Sequence, residues 1–383
     1  MNNNKLNVFT NKHLSGNLYV EDDTYVFNYQ EDAKDLVSLT MPIRANSWTS
    51  KKLHPIFQMN LPEGALKEVI KNHFAKIKKM DDIGFLELIG PYVLGRVKYK
   101  EILEEGQELK LDEILSSKTE NLFDELLKKF AITSGVSGVQ PKLLLSAQNK
   151  TSMKFEYYIV KSWTDEYPQL ALNEYFCMRA IRNAGLETED FYLSDDLSMF
   201  IMKRFDVKED NTYLGFEDMC VLTGRGTDDK YNGSYEEIVR VIKETIPIQN
   251  RKKTLKDFFK AIVMNHLLQN GDGHLKNYGI IYDKDFEDAR FSPIYDVITT
   301  TVYIKNDIPA LRMSDGKLWW KEKTYKSFAK NSCMINNKEY VEIMDECKNA
   351  ILKTKEEIDS FENTNKDVLL FLEEIKNIWK EQI

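Results

Sequence analysis

Apolar and polar residues alternate near the start of the chain. Residues 6–10, 17–21 and 24–29 read as short strands, the last two joined by the turn Asp22-Asp23. The period then lengthens. Leu61-Pro62 leads into an expected helix over 63–79, because proline suits a helix start. A second short helix is expected over 82–89, and a strand over 91–99, which is rich in Val, Leu and Tyr. The charged stretch 100–110 ends this unit, which reads as self-contained α+β structure.

From residue 121 the pattern changes. A helix over 122–131 leads to the small-residue loop Thr133-Ser134-Gly135-Val136-Ser137-Gly138. Strands over 141–146 and 155–161 flank the polar turn Gln148-Asn149-Lys150. A helix over 169–184 is stopped by Gly185, a residue that accepts the left-handed backbone of a helix end. Strands over 190–194 and 198–205 follow. That order predicts a small antiparallel sheet with one helix packed on it. After Glu217 the chain turns mainly helical: Thr254 reads as the N-cap of a helix over 255–269, and 338–383 as two charged helices. The expected lobes are 1–110, 111–210 and 211–383.

Composition narrows the class. A chain of 383 residues is too long for one compact core and fits two or three lobes. With 30% charged and 42% hydrophobic residues it is an ordinary globular sequence. The net charge of −8 argues against broad attraction to nucleic acid or anionic membrane, and the short runs Lys76-Ile77-Lys78-Lys79 and Arg251-Lys252-Lys253 read as solvated helix faces. Cys177, Cys220, Cys333 and Cys347 are scattered, with no pair at metal-ligand spacing, which fits a reducing cytoplasm. No apolar run approaches the roughly 20 residues that span a bilayer, and Met1-Asn2-Asn3-Asn4-Lys5 opens no signal peptide. The expectation is a soluble cytoplasmic protein without a membrane partner.

The chemistry concentrates in Asn270-Gly271-Asp272-Gly273-His274-Leu275-Lys276-Asn277, after a buried-looking helix and before a strand over 278–282. Asp272 and Asn277 repeat the separation of Asp and Asn in a kinase catalytic loop, where Asp receives or orients the attacking hydroxyl proton and Asn coordinates Mg²⁺. Downstream, Asp296 in Phe291-Ser292-Pro293-Ile294-Tyr295-Asp296-Val297 can supply a second metal oxygen. Upstream, Lys161 ends a strand and can meet nucleotide phosphates, with Glu174 a candidate to hold it. The backbone of Gly135, Val136, Ser137, Gly138 and Gln140 can cradle phosphate, with Lys142 beside it. Taken singly these signals are bland: an Asp-Gly turn is an ordinary turn, a strand-end lysine an ordinary surface residue. His274 reads either as a catalytic group or as a structural one that orients the loop. The weight lies in the order, which is the one a bilobal kinase requires.

Gly135 to Lys142, Asn173-Glu174-Tyr175, Lys203-Arg204-Phe205-Asp206, Glu217-Asp218-Met219-Cys220, Asn270 to Asn277 and Tyr295-Asp296 together resemble the HipA family of bacterial serine/threonine kinases. Leu61-Pro62-Glu63-Gly64 and Ile89-Gly90-Pro91-Tyr92-Val93-Leu94-Gly95 look like that family's N-terminal subdomain. The resemblance implies an α+β, bilobal protein-kinase-like fold with an N-terminal α/β subdomain and a mainly helical C-terminal lobe. It implies use of ATP and Mg²⁺, with Asp272 as base, Asn277 and Asp296 as metal ligands and Lys161 on the phosphates. Lys276 and His274 belong to the same catalytic loop, and Met202, Lys203 and Phe205 would lie near the adenine. It further implies a toxin that phosphorylates an aminoacyl-tRNA synthetase, commonly the glutamyl enzyme. The partner of such toxins is a helix-turn-helix antitoxin, through which DNA is mainly contacted.

One departure from the family pattern lies in the glycine loop. The autophosphorylated serine of such kinases commonly stands just before the residue equivalent to Val136, where this chain has Gly135. Ser137, with Ser134 second, is the expected site instead. A phosphate there adds about −1.5 to −2 charge beside the nucleotide. Two other classes stay open at this point: a weakly active co-repressor bound to an antitoxin, and an ATP-dependent small-molecule kinase.

Overall fold

A computed structural model describes residues 5–75, 79–99, 110–117, 151–154, 157–162, 167–314 and 316–382. The expected helix over 122–131, strand over 141–146 and glycine loop lie outside the described residues.

The N-terminal unit is built on a five-stranded antiparallel sheet in the order β4-β3-β2-β1-β5. Its strands are β1 (Leu6–Thr10), β2 (His13–Glu21), β3 (Thr24–Tyr29), β4 (Trp48–Ser50) and β5 (Val97–Lys98). Alternation sends Leu6, Val8 and Thr10 inward along β1, as a period of two requires. Helices Gly64–Phe74 and Asp82–Ile89 pack on the sheet, the second capped by the Asp81 carboxylate, which accepts from the Gly84 amide at 3.0 Å. The expected strand over 91–99 is mostly a turn. Pro91 has no donor to give a ladder and Gly95 takes a φ of +78°, so only Val97–Lys98 pairs.

His54 caps the short helix Pro55–Gln58, its Nδ1 accepting from the Ile56 amide at 3.3 Å. Burial lowers its pKa to about 4. As pH falls below the ordinary histidine value near 6.5, the unfolded chain binds a proton that the folded chain refuses. Stability is therefore lost between about pH 6.5 and 4, by on the order of 1–2 kcal/mol for this ring after discounting its partial exposure. Thermal midpoints at pH 7 and pH 5 should differ less in His54→Asn, whose cap does not titrate, than in the wild type. An equal fall in both would show that His54 is not a source.

A second sheet, four-stranded and antiparallel, has the order β6-β7-β9-β8: β6 (Thr151–Lys154), β7 (Tyr158–Ser162), β8 (Phe191–Leu193) and β9 (Met199–Lys203). Its two faces belong to different cores. Val160, Met199 and Ile201 join the core of the N-terminal unit, while Ile159, Phe200 and Met202 pack with the helix Leu170–Asn183. The N-terminal unit is thus not self-contained: part of its core is one face of the neighbouring sheet. The same alternation puts Lys161, two residues after Ile159, on the helix side.

Buried polar groups fasten these parts together. Arg204 grips Asp206 with Nε–Oδ1 at 2.9 Å and Nη2–Oδ2 at 2.6 Å, and Asp206 accepts from the Gly95 amide at 2.7 Å. Arg96 reaches the carbonyls of Leu36, Asp283 and Lys284. Glu217 accepts from Ser38 Oγ, the Leu39 amide and the Tyr282 hydroxyl, each at 2.6 Å, and burial raises its pKa.

The C-terminal lobe surrounds the helix Ile248–Leu267. That helix begins well before Thr254, which is buried inside it and caps nothing. Pro247 supplies the start, and the polar turn Gln249-Asn250-Arg251-Lys252-Lys253 hides the first turns from a reading of apolar periodicity. The expected C-terminal pair is Asn337–Asp359 and Lys366–Lys380, the first opened by a reciprocal Asn336/Glu339 cap at 3.0 and 2.9 Å. A small sheet of β10 (Gly215–Asp218), β11 (Gly279–Tyr282) and β12 (Arg290–Phe291) carries the loop that precedes β11.

Candidate active site

The loop 270–277 leaves the end of the long helix through a set of fixed hydrogen bonds. Asn270 Nδ2 donates to Asn265 Oδ1 at 2.9 Å, and Asn265 Nδ2 donates to the Tyr278 hydroxyl at 2.9 Å. Asn270 Oδ1 accepts from the Asp272 amide at 3.1 Å, and Thr300 Oγ1 from the Gly271 amide at 2.8 Å. A Cβ at Gly271 would stand 2.0 Å from Asp307 Oδ2, so a larger residue there has to push the Asp307 side chain aside. Pinned this way, the half-buried Asp272 turns its carboxylate toward the mouth, where Oδ1 accepts from the Tyr231 hydroxyl at 2.7 Å.

A second group forms around Lys161. Its ammonium lies 2.6 Å from Glu174 Oε1 and 2.6 Å from Asp296 Oδ1. Glu174, on the helix Leu170–Asn183, does hold the strand lysine. Asp296 Oδ2 accepts from Asn277 Nδ2 at 2.9 Å. Asp296 also takes a φ of +61°, which costs a side-chain-bearing residue energy and is kept only where surroundings fix it. Here Lys161 and Asn277 fix it from two sides. Lys161, Asn277 and Asp296 are therefore one cluster, reached from three parts of the chain.

Asp272 belongs to the same mouth. Both Asp272 and Asp296 act electrostatically on His274 and on Tyr231. His274 is buried, its Nδ1 has no hydrogen-bond partner, and burial lowers its pKa to about 4, so the ring is neutral at pH 7. Its amide donates to Asn277 Oδ1 at 2.9 Å, which fixes which end of that amide is oxygen. Lys276 points elsewhere, to the N-terminal unit: its ammonium bonds Glu63 and feels Asp218. Burial works to lower its pKa, but Asp218 and Glu63 outweigh that and raise it. The Tyr295 hydroxyl donates to the Lys276 carbonyl at 2.7 Å.

On the sheet side, Met202 lies in the helix-facing core, Lys203 is exposed with its amide on the Asp190 carbonyl at 2.8 Å, and Phe205 stacks on Tyr295 at 5.4 Å. Ser134, Gly135, Val136, Ser137, Gly138, Gln140 and Lys142 lie outside the described residues. Glu63 was visible in the sequence only as part of a resemblance. Tyr231 carried no signal at all, since it stands 41 residues before Asp272 in an unpatterned turn.

The donor chemistry suits Mg²⁺. Asp296 offers carboxylate oxygens, and Asn277 Oδ1 keeps a lone pair after accepting from His274. Two hard oxygen ligands are what Mg²⁺ takes from protein when phosphate and water complete its shell. Among the described residues, no three His, Cys, Asp or Glu side chains form a metal cage.

A small antiparallel sheet with one helix, a strand lysine paired to that helix, and a carboxylate-bearing loop at the head of a helical lobe make this a bilobal protein-kinase-like fold. The chain belongs to the HipA family: residues 6–100 match the HipA N-terminal domain and residues 134–355 the HipA-like C-terminal domain. Over 98% of its length it superposes, with a TM-score of 0.73 and 16% identity, on 96% of a chain from the Shewanella oneidensis MR-1 toxin–antitoxin complex of HipA, HipB and operator DNA. A Haemophilus influenzae protein named "Putative kinase" is 28% identical over 185 residues, 44% of this chain and 53% of that protein. "Putative kinase Y4dM" of Sinorhizobium fredii is 26% identical over 287 residues, 69% of this chain and 66% of that protein. The matches thus span about half and about two-thirds of these relatives' lengths. Among the described residues no helix is long and apolar enough to cross a membrane.

Proposed function

We propose that the chain is an ATP- and Mg²⁺-dependent serine/threonine protein kinase, the toxin of a toxin–antitoxin pair, which acts in the cytoplasm on a translation enzyme such as an aminoacyl-tRNA synthetase. The observation that carries this reading is the meeting of Lys161, Glu174, Asn277 and Asp296 at the mouth that Asp272 faces. Bound ATP supplies the phosphoryl group, and Mg²⁺ offsets charge on its phosphates. The residues divide the remaining work. Glu174 keeps the Lys161 ammonium at the phosphates, and Asn277 and Asp296 hold the metal. Neutral His274 packs beneath the loop and shapes it, while Asp272 takes the proton of the attacking hydroxyl. Lys276 acts from behind, tying the loop to the N-terminal unit. Met202, Lys203 and Phe205 line the adenine end, and residues 135–142 cover the phosphates.

In this reading residues 1–110, 111–210 and 211–383 are the three lobes. Ser137, and after it Ser134, receives the autophosphate. The likeness to a chain from a HipA–HipB–DNA complex supports a helix-turn-helix antitoxin as partner, with DNA contacted mainly through it. Short induced expression is expected to arrest growth and to raise phosphorylation of a translation enzyme, and Asp272→Asn to abolish both. Growth arrest that survives Asp272→Asn, with no new phosphoprotein, would defeat the proposal. Phosphate mapped in the purified chain only at sites other than Ser137 and Ser134 would remove the loop assignment alone.

A further inference from the structure

The Tyr231 hydroxyl lies 2.7 Å from Asp272 Oδ1, inside the reach of about 2.6–3.2 Å at which a general base meets the proton it removes. Asp296 also acts electrostatically on the phenol of Tyr231. Its backbone is tied down on both sides: the Leu275 amide donates to the Lys230 carbonyl at 3.1 Å, and Lys317 Nζ to the Tyr231 carbonyl at 2.9 Å. The side chain is held lightly by comparison. It is 41% exposed, its ring edge meets His274 at 5.1 Å between centroids, and one hydrogen bond restrains the hydroxyl.

We infer that Tyr231 is a specificity-determining residue: its phenol occupies the position of the acceptor hydroxyl, keeps water from the base, and swings out when a protein hydroxyl arrives. The inference rests on the kinase reading above. A phosphotransferase with an open acceptor position would use water. The water oxygen would bond to the γ-phosphorus, the bond from that phosphorus to the bridging oxygen would break, ADP would leave, and the water proton would pass to Asp272. A tethered phenol blocks that route, because its oxygen fills the place next to the base. Burial, then the charges of Asp272, Asp296 and Glu63, raise the phenol's pKa, so at neutral pH it remains a protonated donor to the carboxylate.

The test uses the full chain with Mg²⁺ and ATP and no added acceptor, measuring release of inorganic phosphate and, separately, nucleotide affinity. Tyr231→Phe keeps the ring and loses the hydroxyl, and should raise phosphate release about tenfold at unchanged nucleotide affinity; Tyr231→Ser should raise it further. Asp272→Asn combined with Tyr231→Phe should return release to background. A residue of merely structural value would not speed turnover when removed. Release that stays level or falls in Tyr231→Phe, while the wild type turns over ATP through Asp272, overturns the placeholder alone. Phosphotyrosine at position 231 in the wild-type chain would overturn it too, by making Tyr231 an acceptor. A wild-type chain that binds no Mg²⁺–ATP would sink the kinase reading, and this inference with it.

Discussion

Asp272→Asn should lower phosphoryl transfer on the order of 10³-fold or more while leaving nucleotide affinity nearly unchanged. The amide keeps the shape and can still face the Tyr231 hydroxyl, but it cannot accept a proton or supply negative charge. Nothing in the loop's scaffold depends on the carboxylate: Asn265, Asn270, Thr300 and the His274–Asn277 pair hold the backbone independently of it. The loss should therefore fall on the chemical step and spare folding. ADP production by the purified variant, beside a nucleotide titration, separates the two. Near-normal turnover would remove Asp272 from the role of base.

The second large effect is on stability. Asp206→Ala leaves the Arg204 guanidinium, 1% exposed, without its carboxylate, and leaves the Gly95 amide without its acceptor. Breaking one side of such a pair costs about 3–5 kcal/mol. Burial works to raise the Asp206 pKa, but Arg204, Lys98 and the Gly95 amide outweigh it and hold the group below the ordinary carboxylate range. Its contribution is therefore present above the unfolded value of about 3.9 and is lost as pH falls through the lower folded value. Urea unfolding at pH 7 should show the loss in Asp206→Ala. Replacing Arg204 and Asp206 together by leucine should recover part of it, because the Arg204 charge is then gone, while the buried Lys98 ammonium and the Gly95 amide still lose Asp206. A double variant as unstable as the single one would show that the stranded Arg204 charge is not the source of the loss.

Much of this was legible in the sequence where local chemistry decides structure. The strands Leu6–Thr10 and Thr24–Tyr29 and the helix Asp82–Ile89 fall where the apolar pattern puts them. Local pattern gave way where a single residue overrode it. Pro91 and Gly95 broke an apolar stretch that looked like a strand, and Pro247 began a helix through polar residues. The site divides in the same way. Asp272 and Asn277 share one loop, and their spacing gains its weight from the order of Lys161 before them and Asp296 after; the meeting of Lys161, Glu174 and Asp296 comes only with the sheet and the helix. Tyr231 and Glu63 reach the loop only through tertiary packing, and no period or spacing records that.

Arg96 and Glu217 give the N-terminal unit a mechanical meaning. The unit covers one face of the sheet carrying Lys161, and through Arg96 it also bonds the Asp283 and Lys284 carbonyls just past β11, while Ser38 and Leu39 bond Glu217 on β10. It spans the crease between the lobes like a splint, so wide jaw-like opening would have to tear buried hydrogen bonds and part of a packed core. On the proposed kinase reading, a nucleotide should accordingly enter through small local rearrangements, such as Lys161 trading Asp296 for phosphate, with the two lobes staying at a nearly constant angle.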